Sequence, residues 1–165
     1  MTAAEAIKVY DCLKGEMTAG YAKSGFKTAS HYTGWTNVAT RPYVSDTHGG
    51  RFVNNYVNGV GEGVYAQYEA GGGKVPVGTI LAKDSFAVNA AGHASAGPLF
   101  LMEKMHTGFN KATGDWKYSM IMGDGSVMGV TGGKGGKNLQ FCADCHNAVA
   151  EDQNHLFFLP EDLRK

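Results

Sequence analysis

The sequence predicts an α+β domain over residues 1–165: an antiparallel sheet with a helix near each chain end. Three observations carry this. An apolar repeat at helical spacing opens the chain, and five short strand-like runs, set apart by glycine, proline and asparagine clusters, fill its middle. A second helical segment follows a glycine run near the carboxyl end. A length of 165 residues fits one domain with one sizeable core.

In residues 3–21, Ile7, Tyr10, Leu13, Met17 and Tyr21 recur three or four apart. That spacing lines one face of an α-helix, and Thr2 stands where a hydroxyl can cap it. Residues 24–50 read as loop and turn, with Trp35, Pro42 and Tyr43 as packing anchors. Strands are expected over 51–58, 79–88, 99–105, 117–122 and 126–130, punctuated by turn clusters such as Gly71-Gly72-Gly73 and Gly123-Asp124-Gly125. The glycine-rich stretch 130–138 is a flexible approach to a helix that begins within 139–149. Pro160 punctuates the tail, whose residues 156–159 are expected to pack on the body.

Fifteen basic residues balance fifteen acidic ones, which argues against a generally nucleic-acid-binding surface. No apolar run approaches the ~20 residues of a membrane-spanning helix. The 24 glycines are scattered without a Gly-X-Y period, so they mark turns rather than a collagen-like chain. Two phosphate-loop lookalikes fail. The run 132–137 lacks the Walker spacing and its Ser or Thr, and the run 59–63 is followed by Val64 where G-x-G-x-x-G needs glycine. Residues 1–6 lack the basic start and apolar run of a secretory signal. Either the protein stays in the cytosol or a signal has been removed.

Cys142-Ala143-Asp144-Cys145-His146 is a C-x-x-C-H run, the attachment signature of c-type haem. On a helical turn the two thiols lie on one side, where they can add to the two haem vinyl groups. The adjacent imidazole then lies below the ring plane with its Nε2 toward iron. A thioredoxin-like site would need a βαβ context and no histidine, and a zinc site would need ligands beyond Cys12 and His155. One motif implies one haem c, held covalently through Cys142 and Cys145 with His146 on the iron. Such attachment takes place outside the bacterial cytoplasm, so a periplasmic location with a removed signal is expected. Cys12 is left over, either as a buried thiol on the helix face or as a link or dimer contact.

A haem motif at the carboxyl end of a strand-rich chain resembles the cytochrome P-460 family. Further marks are Tyr32-Thr-Gly-Trp35, the block 48–58 beginning His48-Gly-Gly-Arg51, and Pro76-Val-Gly-Thr-Ile-Leu-Ala-Lys83. Two more follow at 97–105 and at Gly114-Asp-Trp-Lys-Tyr118. The resemblance spans about residues 32–159. It implies a mostly β fold, often a homodimer, with a haem-bearing C-terminal helix and histidine on one haem face. The opposite face is open in many members and binds small nitrogen species such as hydroxylamine or nitric oxide. In the name-giving members a lysine is joined to the haem edge, and their G-T-x-x-x-K strand aligns that lysine with Lys83. Relatives without the link, the beta-type cytochromes c-prime, bind gases in an apolar pocket.

Strand alternation puts Thr79, Leu81 and Lys83 on one face, with Ile80 and Ala82 on the other. Lys83 is therefore an inward amine near the haem, a solvated strand-end lysine, or one paired with Asp84 or Glu103. Arg51 starts a strand after Gly49-Gly50 and either reaches the pocket, where a guanidinium stabilises a partly anionic ligand, or serves as a surface or structural salt-bridge arginine. The resemblance places a distal arginine near it. His48 is either a distal base or sixth ligand, or a hydrogen-bonded turn residue. His31, His93, His106 and His155 have weaker cases. Met102 and Met105 carry thioethers that can bind haem iron, but they point to opposite faces of a strand, and packing suits both. Phe86 and Phe100 are expected as apolar pocket walls.

Two readings follow. In the first, the protein is a redox enzyme that oxidises hydroxylamine or transforms a related nitrogen species, with Lys83 and Arg51 in the catalytic pocket and electrons leaving to a soluble partner. In the second, it is a non-catalytic carrier of NO or CO, or an electron-transfer cytochrome. The optical spectrum of the reduced protein separates them.

Overall fold

The computed structural model describes residues 1–68 and 75–165; the Gly71-Gly72-Gly73 cluster lies outside them. Helix α1 spans Ala3–Ala22. It opens on a reciprocal cap in which the Thr2 hydroxyl accepts from the Glu5 N–H and the Glu5 carboxylate accepts from the Thr2 N–H. Tyr10, Met17 and Tyr21 are buried as the spacing predicts, whereas Ile7 is exposed. Cys12 is also exposed. It falls off the Tyr10–Met17–Tyr21 stripe, which corrects the reading of it as a buried thiol.

Short elements occupy the expected loop: α2 (Lys27–His31), β1 (Thr36–Asn37) and β2 (Tyr43–Ser45). Then come β3 (Arg51–Val57), α3 (Glu62–Tyr65), β4 (Ile80–Val88), β5 (Ala94–Ala96), β6 (Leu99–Lys104), β7 (Trp116–Ile121) and β8 (Val127–Val130). All pairings are antiparallel, in the order β1-β3-β4-β6-β7-β8, with β2 beside β3 and β5 beside β4. The five anticipated strands are present within two residues at each end. Two- and three-residue strands such as β1, β2 and β5 are too short to show alternation. They exist because a longer neighbour supplies their hydrogen bonds.

Alternation sorts the sheet into two faces. One face takes α1 and α2 through Tyr10, Met17, Tyr21, Ala29, Tyr32, Tyr56, Ala82 and Phe86. The other packs Val57, Trp116, Tyr118 and Met120 against Leu139, Ala143, Leu156, Leu159 and Leu163 from the carboxyl end. Residues 156 and 159 thus pack on the body as expected. The expected helix within 139–149 is broken: α4 covers Gln140–His146, a 3-10 turn follows at Asn147–Val149, and α5 covers Ala150–Gln153. Among the described residues no helix is long and apolar enough to cross a membrane.

Candidate functional site

The glycine run before α4 works by close packing. A Cβ on Gly129 of β8 would stand 2.2 Å from the Gly135 carbonyl oxygen, nearer than any real contact. The loop therefore lies directly on the sheet edge and delivers α4 to the sheet face. Leu139 and Ala143, four apart, are buried in the core. The other side of the turn carries Cys142, Cys145 and His146 to the wall of a cavity of about 280 Å³.

The opposite wall is a row across the sheet. Asn55 pairs with Lys83, Lys83 with Phe100, and Phe100 with Met120. All four line the cavity, as do Leu81, Met102 and Tyr118. The turn before β3 adds Thr47, His48, Gly49 and Arg51. The structure thus gathers Lys83, Arg51, His48, Phe100 and Met102 around the C-x-x-C-H turn. It does not bring Phe86 there. Phe86 is three residues from Lys83 on a strand of period two, so it points to the α1 face, stacked on Phe52 at 5.2 Å. Its expected role as a pocket wall is corrected on that ground. Met105 does not line the cavity, and His31, His93 and His106 are exposed away from it. His155 contributes through its backbone.

His146 Nδ1 lies 2.6 Å from the His155 carbonyl oxygen. A carbonyl only accepts, so Nδ1 carries the proton and Nε2 keeps a free lone pair. Burial, against the support of that carbonyl, pulls the imidazole down to about 4, so it is neutral at physiological pH. Its ring packs between Tyr118 and Phe157 at 5.6 and 5.3 Å.

Lys83 is half-buried on the cavity wall. Burial lowers its ammonium to about 8, opposed by the nearby Cys145 sulfur. Neither expected partner takes it. Asp84 faces the other side of the sheet and accepts from Tyr10 and Tyr32, while Glu103 pairs with Lys117. Burial, with Lys83 and His146 adding like charge, drives His48 down to about 3. Its Nδ1 is 2.8 Å from the Ser45 hydroxyl, and its ring meets the edge of Phe100 at 4.9 Å. His48 is therefore both a hydrogen-bonded turn residue and a cavity residue. Arg51 donates to the His48 carbonyl at 3.3 Å, and no carboxylate pairs with it among the described residues.

Four contributors are not legible in the sequence. Asn55 is buried and clamped, accepting from the Tyr43 hydroxyl at 3.1 Å and donating to the Tyr65 hydroxyl at 3.3 Å. Tyr118 lines the cavity with a buried hydroxyl that has no hydrogen-bond partner among the described residues. Phe141 and Phe157 bring exposed rings to the cavity wall. Alternation around Lys83 was the available signal for Asn55 and Tyr118, but only the register says which residues of β3 and β7 stand level with it.

These residues fit a covalently held haem. Two thiols one helical turn apart, a neutral imidazole with a free Nε2, and largely apolar walls are the donor set and surroundings such a group needs. The orphaned Tyr118 hydroxyl supplies a donor that the protein itself leaves unused. Among the described residues no cluster of three or more His, Cys, Asp or Glu side chains is placed to hold a metal ion by itself. The family model described as Cytochrome P460 matches residues 29–158, most of the chain. No curated protein matches the chain in sequence.

Proposed function

The chain belongs to the cytochrome P460 family and is a haem protein of that kind, and from this premise we propose that it oxidises hydroxylamine or transforms a related small nitrogen species. One haem c is tethered through Cys142 and Cys145, with His146 as the iron ligand. The location is periplasmic, where covalent attachment takes place, and electrons pass to a soluble acceptor. The observation that carries the reading is the convergence of Lys83, His48 and Arg51 on the cavity that the C-x-x-C-H turn also lines.

Bound haem supplies the redox chemistry, taking up electrons that the nitrogen substrate gives up. The chain supplies the surroundings. The His155 carbonyl holds the Nδ1 proton of His146 and so directs Nε2 outward. Arg51 offers guanidinium N–H groups to a partly anionic ligand, and neutral His48 is placed to exchange a proton with it. Phe100, Leu81 and Met120 keep water from the pocket.

Lys83 reaches its neutral form more readily than an exposed lysine, because burial disfavours the ammonium. With a haem held by Cys142 and Cys145 in this cavity, Lys83 is the wall residue whose neutral amine would be joined to the ring. The apolar walls, with Met102 among them, favour a second reading, a gas-binding or electron-transfer cytochrome without turnover. One experiment separates the two. Protein matured with covalent haem is examined by absorption before and after hydroxylamine and an electron acceptor. A red-shifted Soret band with turnover supports the enzyme. An ordinary high-spin c-type spectrum without turnover supports the gas carrier, and sharp low-spin bands support the electron shuttle.

A further inference from the structure

Asn154 and His155, in succession, hold left-handed backbone with φ of 50° and 64°. Outside glycine that conformation is uncommon, though asparagine and histidine adopt it more often than most, and two in succession call for support from their surroundings. Here the surroundings come from the far end of the β6–β7 hairpin. The Trp116 indole N–H donates to the Asn154 carbonyl at 3.1 Å. Lys104 Nζ donates to the Asn154 side-chain oxygen at 3.1 Å and to the Gly114 carbonyl at 2.7 Å, and it lies 5.1 Å from the centre of the Trp116 ring. Gly114 makes room for the turn, since a Cβ there would stand 1.9 Å from the Nε2 of His155. The outcome of this strained turn is one contact: the His155 carbonyl faces Nδ1 of His146 at 2.6 Å.

We propose that Lys104 and Trp116 are positioning residues for the iron ligand. They clamp the 154–155 turn so that its carbonyl takes the Nδ1 proton of His146, fixing the tautomer and raising the donor strength of Nε2. The proposal rests on the haem reading above. Neither residue lines the cavity, so both act through His155 and His146. A carbonyl that accepts from Nδ1 pushes electron density onto the ring. It thereby strengthens the bond to iron and favours the ferric over the ferrous state.

The test uses the haem-loaded protein and the variants Lys104→Met, Lys104→Arg and Trp116→Phe. The readouts are the iron–histidine stretching frequency of the ferrous form, by resonance Raman, and the reduction potential. Lys104→Met keeps the aliphatic stem on Trp116 but loses both hydrogen bonds. Trp116→Phe keeps the ring but loses the N–H. Both are expected to lower the stretching frequency and raise the potential at unchanged covalent haem content, while Lys104→Arg, which keeps a donor there, stays near the parent. A purely structural role would lower the melting temperature and leave frequency and potential in place. That result in both variants overturns the clamp. Should Trp116→Phe fail to fold, Lys104→Met decides alone, because Lys104 is only half-buried. A parent protein that carries no covalent haem removes the haem reading itself, and the clamp with it. A parent with haem and unmoved variants removes the clamp only.

Discussion

Replacing Asp84 by Asn changes how stability depends on pH, by an amount the structure sets. Asp84 is fully buried on the α1 face of β4. Its carboxylate accepts from Tyr10 at 2.7 Å, Tyr32 at 3.0 Å and Asn54 at 3.3 Å. Burial outweighs these donors and raises its pKa from 3.8 to about 6. A raised carboxyl favours the folded state while it is protonated, and that contribution is lost as pH rises through the folded value. At about 1.4 kcal/mol for each pKa unit, the parent carries a penalty of about 3 kcal/mol above pH 6 that it does not carry below pH 3.8. His48 acts with the opposite sign, because burial lowers its pKa from 6.5 to about 3. Its stability is present above pH 6.5 and lost in acid. It sits on the other face of the sheet, so it cancels in the difference between Asp84→Asn and parent. Urea unfolding of both haem-loaded proteins, from about pH 4 to about pH 8, reads that difference. It should grow by about 2 kcal/mol over that range, since part of the penalty is already present at pH 4, and then level off. With a urea slope of roughly 2 kcal/mol per molar, the midpoint difference widens by about 1 M. A flat difference over that range would refute the claim that this carboxylate is desolvated.

The other predictions concern the cavity and its supports. Denatured protein from a c-type maturation system should run one haem heavier than the chain, and Cys142→Ala with Cys145→Ala should return the bare chain mass. His146→Ala should keep the tethers but change the ferrous spectrum; an unchanged spectrum removes His146 as the ligand. Lys83→Leu should keep the haem, move the Soret band to an ordinary c-type position and abolish hydroxylamine oxidation. Tryptic mapping of the parent should find the Lys83 peptide joined to the haem peptide, and clean separation of the two sinks the cross-link. Leu139→Ala removes one of the two buried anchors of α4, and should lower stability by about 2–5 kcal/mol in a denaturant melt.

What the sequence by itself determined is local. The 3.6-residue repeat with Thr2 ahead of it makes α1, and the two-residue repeat makes the long strands and puts Leu81 and Lys83 on one face. The C-x-x-C-H spacing places two thiols and an imidazole on one side of a turn. These follow from short-range geometry, which neighbouring residues carry on their own. Tertiary structure decided everything that depends on register and on what lies across from a face. Only the pairings of β3, β4, β6 and β7 bring Asn55, Lys83, Phe100 and Met120 into one row. Phe86 went to the α1 side because period two, counted from Lys83, turns it away from the cavity. Ile7 and Cys12 ended in solvent because they fall off the Tyr10, Met17 and Tyr21 stripe that packs on the sheet. The environment of His146 is the furthest from the linear chain. A tight left-handed turn, held by a lysine and a tryptophan from another hairpin, aims one carbonyl at one ring nitrogen. Hydrogen bonds between residues distant in sequence exist only once the core between them has packed, so no local pattern can announce them.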